Sequence, residues 1–146
     1  VPFIDFWSDN GYKKQYSENF WDNFYKIPIL YERATPINGA LETIEYLSKK
    51  YNICYITSRP KEIEFVTRYW MRSYKFPNYE SLYFSENKTI EIRKYKCLYF
   101  IEDQWIQNKV DEMNKLTNII LVDRIYNKHI TGVPRIYNLR ELKELL

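Results

Sequence analysis

The chain predicts an α/β fold in which short parallel strands form one sheet with helices on both faces. Two observations carry that prediction. Apolar runs at 51–56, 97–101 and 118–122 alternate with segments of about ten residues whose apolar positions recur at helical spacing, the pattern of βαβ units. The runs at 97–101 and 118–122 also lack the in-out alternation of a half-exposed strand, as expected for strands buried on both sides.

The elements follow in order. Residues 1–30 are rich in aromatics and read as mostly helical, with Phe20, Trp21, Phe24 and Tyr25 on one stripe. Residues 31–36 form a connector ending at Pro36. Asn38-Gly39 opens a helix with Ala40, Leu41, Ile44 and Leu47 on its apolar face, closed by Lys49-Lys50 as suits its negative end. A strand at 51–57 leads through Arg59-Pro60 into a helix at 60–73 carrying Ile63, Val66, Tyr69 and Trp70. A short strand, Leu82-Tyr83-Phe84, precedes a helix at 88–95, a strand at 97–101, a helix at 104–115 and a strand at 118–122. Arg135-Ile136-Tyr137 reads as a last short strand, followed by a terminal helix from Leu139. The seam near 30–36 divides a helical portion, 1–33, from an α/β core, 34–146.

At 146 residues, 45% apolar and 28% charged, the chain has the composition of one globular domain. The net charge is +3, with basic and acidic residues interspersed, so a large nucleic acid is not an expected partner. There is no run of about 18 apolar residues and no signal-peptide pattern; a cytoplasmic protein with no membrane partner is expected. Cys54 and Cys97 fall inside the strands at 51–57 and 97–101 and are expected to be small core residues rather than a disulfide. One His and two Cys exclude a zinc cluster.

Three strands end in polar clusters: Thr57-Ser58-Arg59, Glu102-Asp103 and Asp123-Arg124. Open α/β sheets place their chemistry at this carboxyl edge. Thr57 and Ser58 offer hydroxyls and turn amides to an oxyanion. Lys88, opening a helix, is a point cation for a phosphate or a carboxylate. Glu102 and Asp103 are hard oxygen donors suited to Mg²⁺, and Asp123 supports the loop or the metal from the next strand. Each also has a plainer role. In that reading Thr57 or Ser58 is the cap of the helix after Pro60, the acidic pair is dipole compensation for the helix at 104, and Asp123 is the partner of Arg124.

Taken in order, Ile56-Thr57-Ser58-Arg59-Pro60, Asn87-Lys88-Thr89, Phe100-Ile101-Glu102-Asp103 and Leu121-Val122-Asp123-Arg124-Ile125-Tyr126-Asn127 resemble the second, third and fourth motifs, and the strand that follows, of the haloacid-dehalogenase-like superfamily. The 5′(3′)-deoxyribonucleotidase group and its nucleotidase relatives are the nearest likeness. Thr35-Pro36-Ile37-Asn38-Gly39-Ala40 and Thr67-Arg68-Tyr69-Trp70-Met71 are similar to that group's flanking segments, so the resemblance covers roughly residues 17 to 146. It implies a Rossmann-like core with a small helical cap and a Mg²⁺-dependent phosphatase acting on a small phosphorylated substrate, a (deoxy)nucleoside monophosphate. Thr57 and Lys88 would be catalytic, binding the phosphate with Ser58 and Arg59. Asp103, with Glu102 as neighbour or alternate, would hold Mg²⁺. Phe20 and Trp21 would belong to a cap over the leaving group.

The superfamily's reaction runs through an aspartyl-phosphate and needs a first motif with two Asp residues two apart. No Asp-x-Asp occurs here; Asp5-Phe6-Trp7 is the nearest N-terminal match. In the superfamily the strand bearing that motif lies between those at 51–57 and 97–101. The expectation is that the chain, which begins at Val1, lacks this first strand, that the nucleophile lies upstream, and that these residues alone are inactive. The alternative is a non-catalytic phosphatase-like binding or regulatory module.

Overall fold

The computed structural model describes residues 26–146; the stripe Phe20, Trp21, Phe24 and Tyr25 lies outside them. Six helices and five strands alternate along the described residues. They run α1 (Pro28–Glu32), α2 (Ala40–Ser48), β1 (Tyr55–Thr57), α3 (Glu64–Ser73), β2 (Leu82–Phe84), α4 (Lys88–Lys94), β3 (Tyr99–Glu102), α5 (Gln107–Asn114), β4 (Asn118–Val122), β5 (Arg135–Ile136) and α6 (Leu142–Leu145). Short 3₁₀ turns precede α3, follow β4 and precede α6. No described helix is long and apolar enough to cross a membrane.

The described strands form two small parallel sheets. β1 pairs with β2, Ile56 opposite Tyr83. β3, β4 and β5 form the other sheet with β4 central, Ile101 opposite Ile120 and Val122 opposite Ile136. This α/β layout of parallel strands and helices is compatible with a Rossmann-like arrangement, but no described strand joins β1 to β3.

β4 is the strand the sequence reading describes best. Ile119 and Leu121 point into one cluster with Ile92 of α4 and Val110 and Met113 of α5. Ile120 and Val122 point the other way, onto Leu47 of α2, Ile136 and Leu142. Alternate residues thus serve opposite faces, both covered, so the strand has no polar side. A third cluster, Met71, Phe76 and Leu82, packs beneath the β1–β2 pair.

Four expectations are corrected. β3 is not buried on both sides by the described residues: Tyr99 is exposed and Phe100 and Ile101 are half-buried, because no described strand pairs with one of its edges. β1 is limited to residues 55–57, since its single partner, β2, is three residues long. Cys54 and Cys97 accordingly lie just before their strands rather than in them, half-buried and free. In α3 and the turn before it, the buried stripe is Ile63, Thr67 and Met71, whereas Tyr69 faces solvent. Trp70 is half-buried, and its indole N–H donates to the Ala34 carbonyl at 2.7 Å, tying α3 to the connector after α1.

Gly39 holds φ at +82°, and a β-carbon there would sit 3.0 Å from the Arg140 guanidinium carbon. That guanidinium bonds Glu42 at 2.9 Å and Asn38 at 3.1 Å. The start of α2 is thereby fastened to the turn before α6, which closes one face of the β3–β4–β5 sheet.

Candidate functional site

A cleft of about 670 Å³ opens between the two sheets, with β1 and β3 as its walls; Ile56, Phe100, Ile101, Lys88, Glu102 and Asp103 are among its lining residues. The hydroxyl of Thr43, on α2, is fully buried against this cleft and has no hydrogen-bond partner among the described residues. A buried polar group in that state calls for a further partner.

Lys88 is the first residue of α4, whose N-cap Asn87 accepts from the Thr89 amide at 3.2 Å. The cap fixes where α4 begins, and so where the Lys88 side chain leaves it. Its ammonium donates to Glu102 Oε2 at 2.6 Å. The other oxygen, Oε1, accepts from the Asp103 amide at 2.9 Å. Glu102 is 7% exposed, and burial pushes its carboxyl above the ordinary carboxylate range while Lys88 and the Asp103 amide pull it back. Both Glu102 oxygens are therefore engaged within the protein.

Asp103 is held differently. Its Oδ2 accepts from the Tyr126 hydroxyl at 2.5 Å. Burial and the Asp103 carboxylate push that phenol above its usual range, so it remains a donor. Asp103 Oδ1 takes no hydrogen bond from the described residues. Among the described residues, no three His, Cys, Asp or Glu side chains gather around one point. Mg²⁺ commonly takes only one or two protein carboxylates, completing its shell with water and phosphate oxygens. The donor set fits such an ion with Asp103 as ligand.

Thr57 ends β1 one residue beyond the cleft-lining Ile56 and is half-buried, while Ser58 is exposed. The Thr57 hydroxyl accepts from the Arg59 amide at 3.2 Å. It does not cap the next helical turn, where Pro60 stands at the N-cap without a side-chain bond. Arg59 does not line the cleft: its guanidinium lies 4.6 Å over the Tyr31 ring and donates to Thr67 at 3.4 Å. The acidic pair does not compensate a helix dipole either, because α5 starts at Gln107 with Ile106 as its N-cap.

Asp123 is a structural anchor in this chain. Its carboxylate bonds Lys128 and, at 2.8 Å, Arg135, and these cations hold it below the usual carboxylate range, Lys128 most strongly. Arg124 bonds the Asp123 carbonyl at 3.0 Å instead of its carboxylate. Sequence reading missed Tyr126 and Asn127 as site residues. They stand in the quoted segment after the fourth strand, but nothing in their spacing signals that they reach back 23 and 24 residues to Asp103.

The site thus joins Lys88, Glu102 and Asp103, with Thr57 at the neighbouring strand tip and Phe20 and Trp21 outside the described residues. Residues 26–123 match the family model described as PITM 1-3, LNS2 domain. A protein of Bacillus cereus named "Putative nucleotidase" is 29% identical over 141 residues, covering 93% of this chain and 73% of that protein. One of Oceanobacillus iheyensis with the same designation is 30% identical over 130 residues, 84% of this chain and 67% of its own length. A nucleotidase of Clostridium acetobutylicum is 28% identical over 103 residues, 68% of this chain and 53% of that protein. The chain belongs to the LNS2-domain family, with nucleotidase-named bacterial proteins among its relatives.

Proposed function

We propose that the protein is a haloacid-dehalogenase-like, Mg²⁺-dependent phosphomonoester hydrolase whose substrate is a (deoxy)nucleoside monophosphate. The observation that carries this reading is the Lys88–Glu102–Asp103 cluster lining a cleft between β1 and β3, in a chain related to nucleotidase-named proteins.

In this reading Lys88, held on Glu102, offers its remaining N–H bonds to a phosphate oxygen and steadies the attacking carboxylate. Thr57 and the exposed amide and hydroxyl of Ser58 bind the other phosphate oxygens, with Arg59 as an outer support. Asp103 would hold the metal; Glu102, already engaged on both oxygens, positions Lys88. When bound, Mg²⁺ neutralises charge on the transferring phosphoryl group. Asp123 keeps the adjoining loop in place through Arg135 and Lys128. Phe20 and Trp21 would cover the base or sugar, which leaves substrate preference to residues outside those described.

The nucleophile is a carboxylate on a further strand lying in the cleft. That placement is supported by the parallel pairing within each sheet, by edges of β1 and β3 that no described strand pairs, and by the Thr43 hydroxyl, which has no partner among the described residues. An open pair of apolar strand edges is a hazard that folded proteins avoid. Because no Asp-x-Asp occurs in these 146 residues, a second reading is a binding module that holds phosphate without turning it over.

The test is phosphate release from nucleoside and deoxynucleoside monophosphates with Mg²⁺. It compares the 146-residue chain with a form carrying any coding sequence that precedes Val1. Release by the longer form, abolished in Lys88→Met, supports the hydrolase. Nucleotide binding with no release by either form supports the binding module, and neither binding nor release defeats both.

A further inference from the structure

We propose that Tyr126 is a positioning residue for Asp103, aiming that carboxylate by holding one of its two oxygens. The inference rests on the reading of Asp103 as the metal-facing carboxylate and adds a residue which that reading does not use.

The geometry is specific. Tyr126 sits in the short turn Ile125–Asn127 that follows β4, and its hydroxyl donates to Asp103 Oδ2 at 2.5 Å. A carboxylate hydrogen-bonded at one oxygen loses much of its freedom to rotate, so the remaining oxygen, Oδ1, is presented in one orientation. A ligand then need not order the side chain itself, which is the usual advantage of a second layer of hydrogen bonds behind a metal ligand.

The turn is stiff enough to act as a reference. Asn127, fully buried, donates through Nδ2 to the Val122 carbonyl at 2.9 Å and the Asp103 carbonyl at 3.3 Å. Its Oδ1 accepts from the Arg124 amide and from Arg135, each at 2.9 Å. Arg135 also bonds the Asn127 carbonyl at 3.0 Å and the Ile130 carbonyl at 2.9 Å. The ends of β3 and β4 are therefore pinned to each other through one side chain. The Tyr126 ring is braced edge-on by Trp105, with centroids 5.9 Å apart, and the His129 ring bonds the Trp105 carbonyl at 2.8 Å. With the ring held by packing and the backbone by Asn127, removing the hydroxyl alone should release Asp103 without loosening the turn.

The experiment uses Mn²⁺, a paramagnetic substitute for Mg²⁺, titrated into the 146-residue chain while free Mn²⁺ is followed by electron paramagnetic resonance. Tyr126→Phe, Asp103→Asn and the core variant Ile119→Val are compared with the unmodified chain, each with a thermal unfolding curve. We expect Tyr126→Phe to weaken Mn²⁺ binding about tenfold, the lower end for lost outer-layer partners. Asp103→Asn should abolish binding, and Ile119→Val should lower the melting temperature with no change in Mn²⁺ affinity. If Tyr126→Phe binds as the unmodified chain does while Asp103→Asn loses binding, the positioning role is overturned and the reading of Asp103 stands. If the unmodified chain and Asp103→Asn are indistinguishable, that reading fails and takes the positioning role with it. Equal weakening in Tyr126→Phe and Ile119→Val would make the effect one of general stability and also overturn the proposal.

Discussion

Replacing Lys88 by Met should destabilise the protein by about 3 kcal/mol at neutral pH and by much less in acid. The Lys88 ammonium lies 2.6 Å from Glu102 Oε2, with the two side chains 20% and 6% exposed. At an effective dielectric constant of about 20 their gross attraction is about 6 kcal/mol. Desolvating the two ions costs several kcal/mol each, so the intact pair contributes little net stability. Removing one partner, however, leaves an uncompensated buried charge at a cost of about 3–5 kcal/mol. Partial exposure of Lys88 and the surviving bond from the Asp103 amide place this case at the lower end.

The pH dependence follows from the direction of the Glu102 shift. Its carboxyl is already raised in the folded state by burial, so the native protein holds that proton more tightly than the unfolded chain does. Such a group favours folding most below its unfolded pKa, and the benefit is lost as pH rises through the folded one. Without Lys88 the folded pKa rises further and the window widens. Within that window stability falls by about 1.4 kcal/mol per pH unit. The deficit of Lys88→Met relative to the unmodified chain should therefore be small near about pH 3, below the unfolded pKa, where the carboxyl is protonated in both states, and complete at neutrality. Urea unfolding across this range measures it. Adding Glu102→Gln should recover most of the loss, since a neutral amide replaces the stranded charge. A deficit that stays constant from acid to neutral pH, or a double variant as unstable as the single one, would refute the reasoning.

Other consequences are equally direct. Arg135→Met removes four hydrogen bonds, to Asp123, to both Asn127 oxygens and to Ile130; a loss of about 3 kcal/mol is expected from acceptors left unsatisfied, measurable by urea unfolding. Gly39→Ala places a side chain at φ +82° against Arg140 and should cost about 1–2 kcal/mol, with a matching fall in melting temperature. The Cys54 thiol is pushed up to about 11, chiefly by burial and then by its neighbour Cys97; alkylation of the Cys54 peptide, followed by mass spectrometry, should be slow at pH 8 and accelerate only toward that value. Rapid labelling at pH 8 would contradict the burial described for it.

Order and type of the elements were legible because they depend on local periodicity. The β4 run at 118–122 and the strand at Leu82-Tyr83-Phe84 stand where the sequence reading has them, and the Gly39 turn announces the start of α2. Element edges were less legible wherever pairing decides them. The run at 51–57 is apolar throughout much of its length, yet only 55–57 is strand, because hydrogen-bonded extension needs a neighbour and β2 offers three residues. Tyr69 shares helical spacing with Ile63 and Val66 but faces solvent, since the direction from which the β1–β2 pair packs selects the Thr67–Met71 side.

By itself the sequence determined that this is a parallel α/β domain and that Thr57, Lys88, Glu102 and Asp103 stand at or beside strand ends, because these properties follow from periods of two and 3.6 and from what interrupts them. It also determined that no Asp-x-Asp is present. The tertiary structure alone decided which of those groups are already engaged. Lys88 meets Glu102 across 14 residues and Tyr126 meets Asp103 across 23, contacts set by strand register and by a turn pinned through Asn127. Likewise, only the packing of the two sheets and α2 shapes the cleft between β1 and β3, whose facing edges no described strand pairs, since strand pairing is a property of neighbours in space and not of neighbours in the chain.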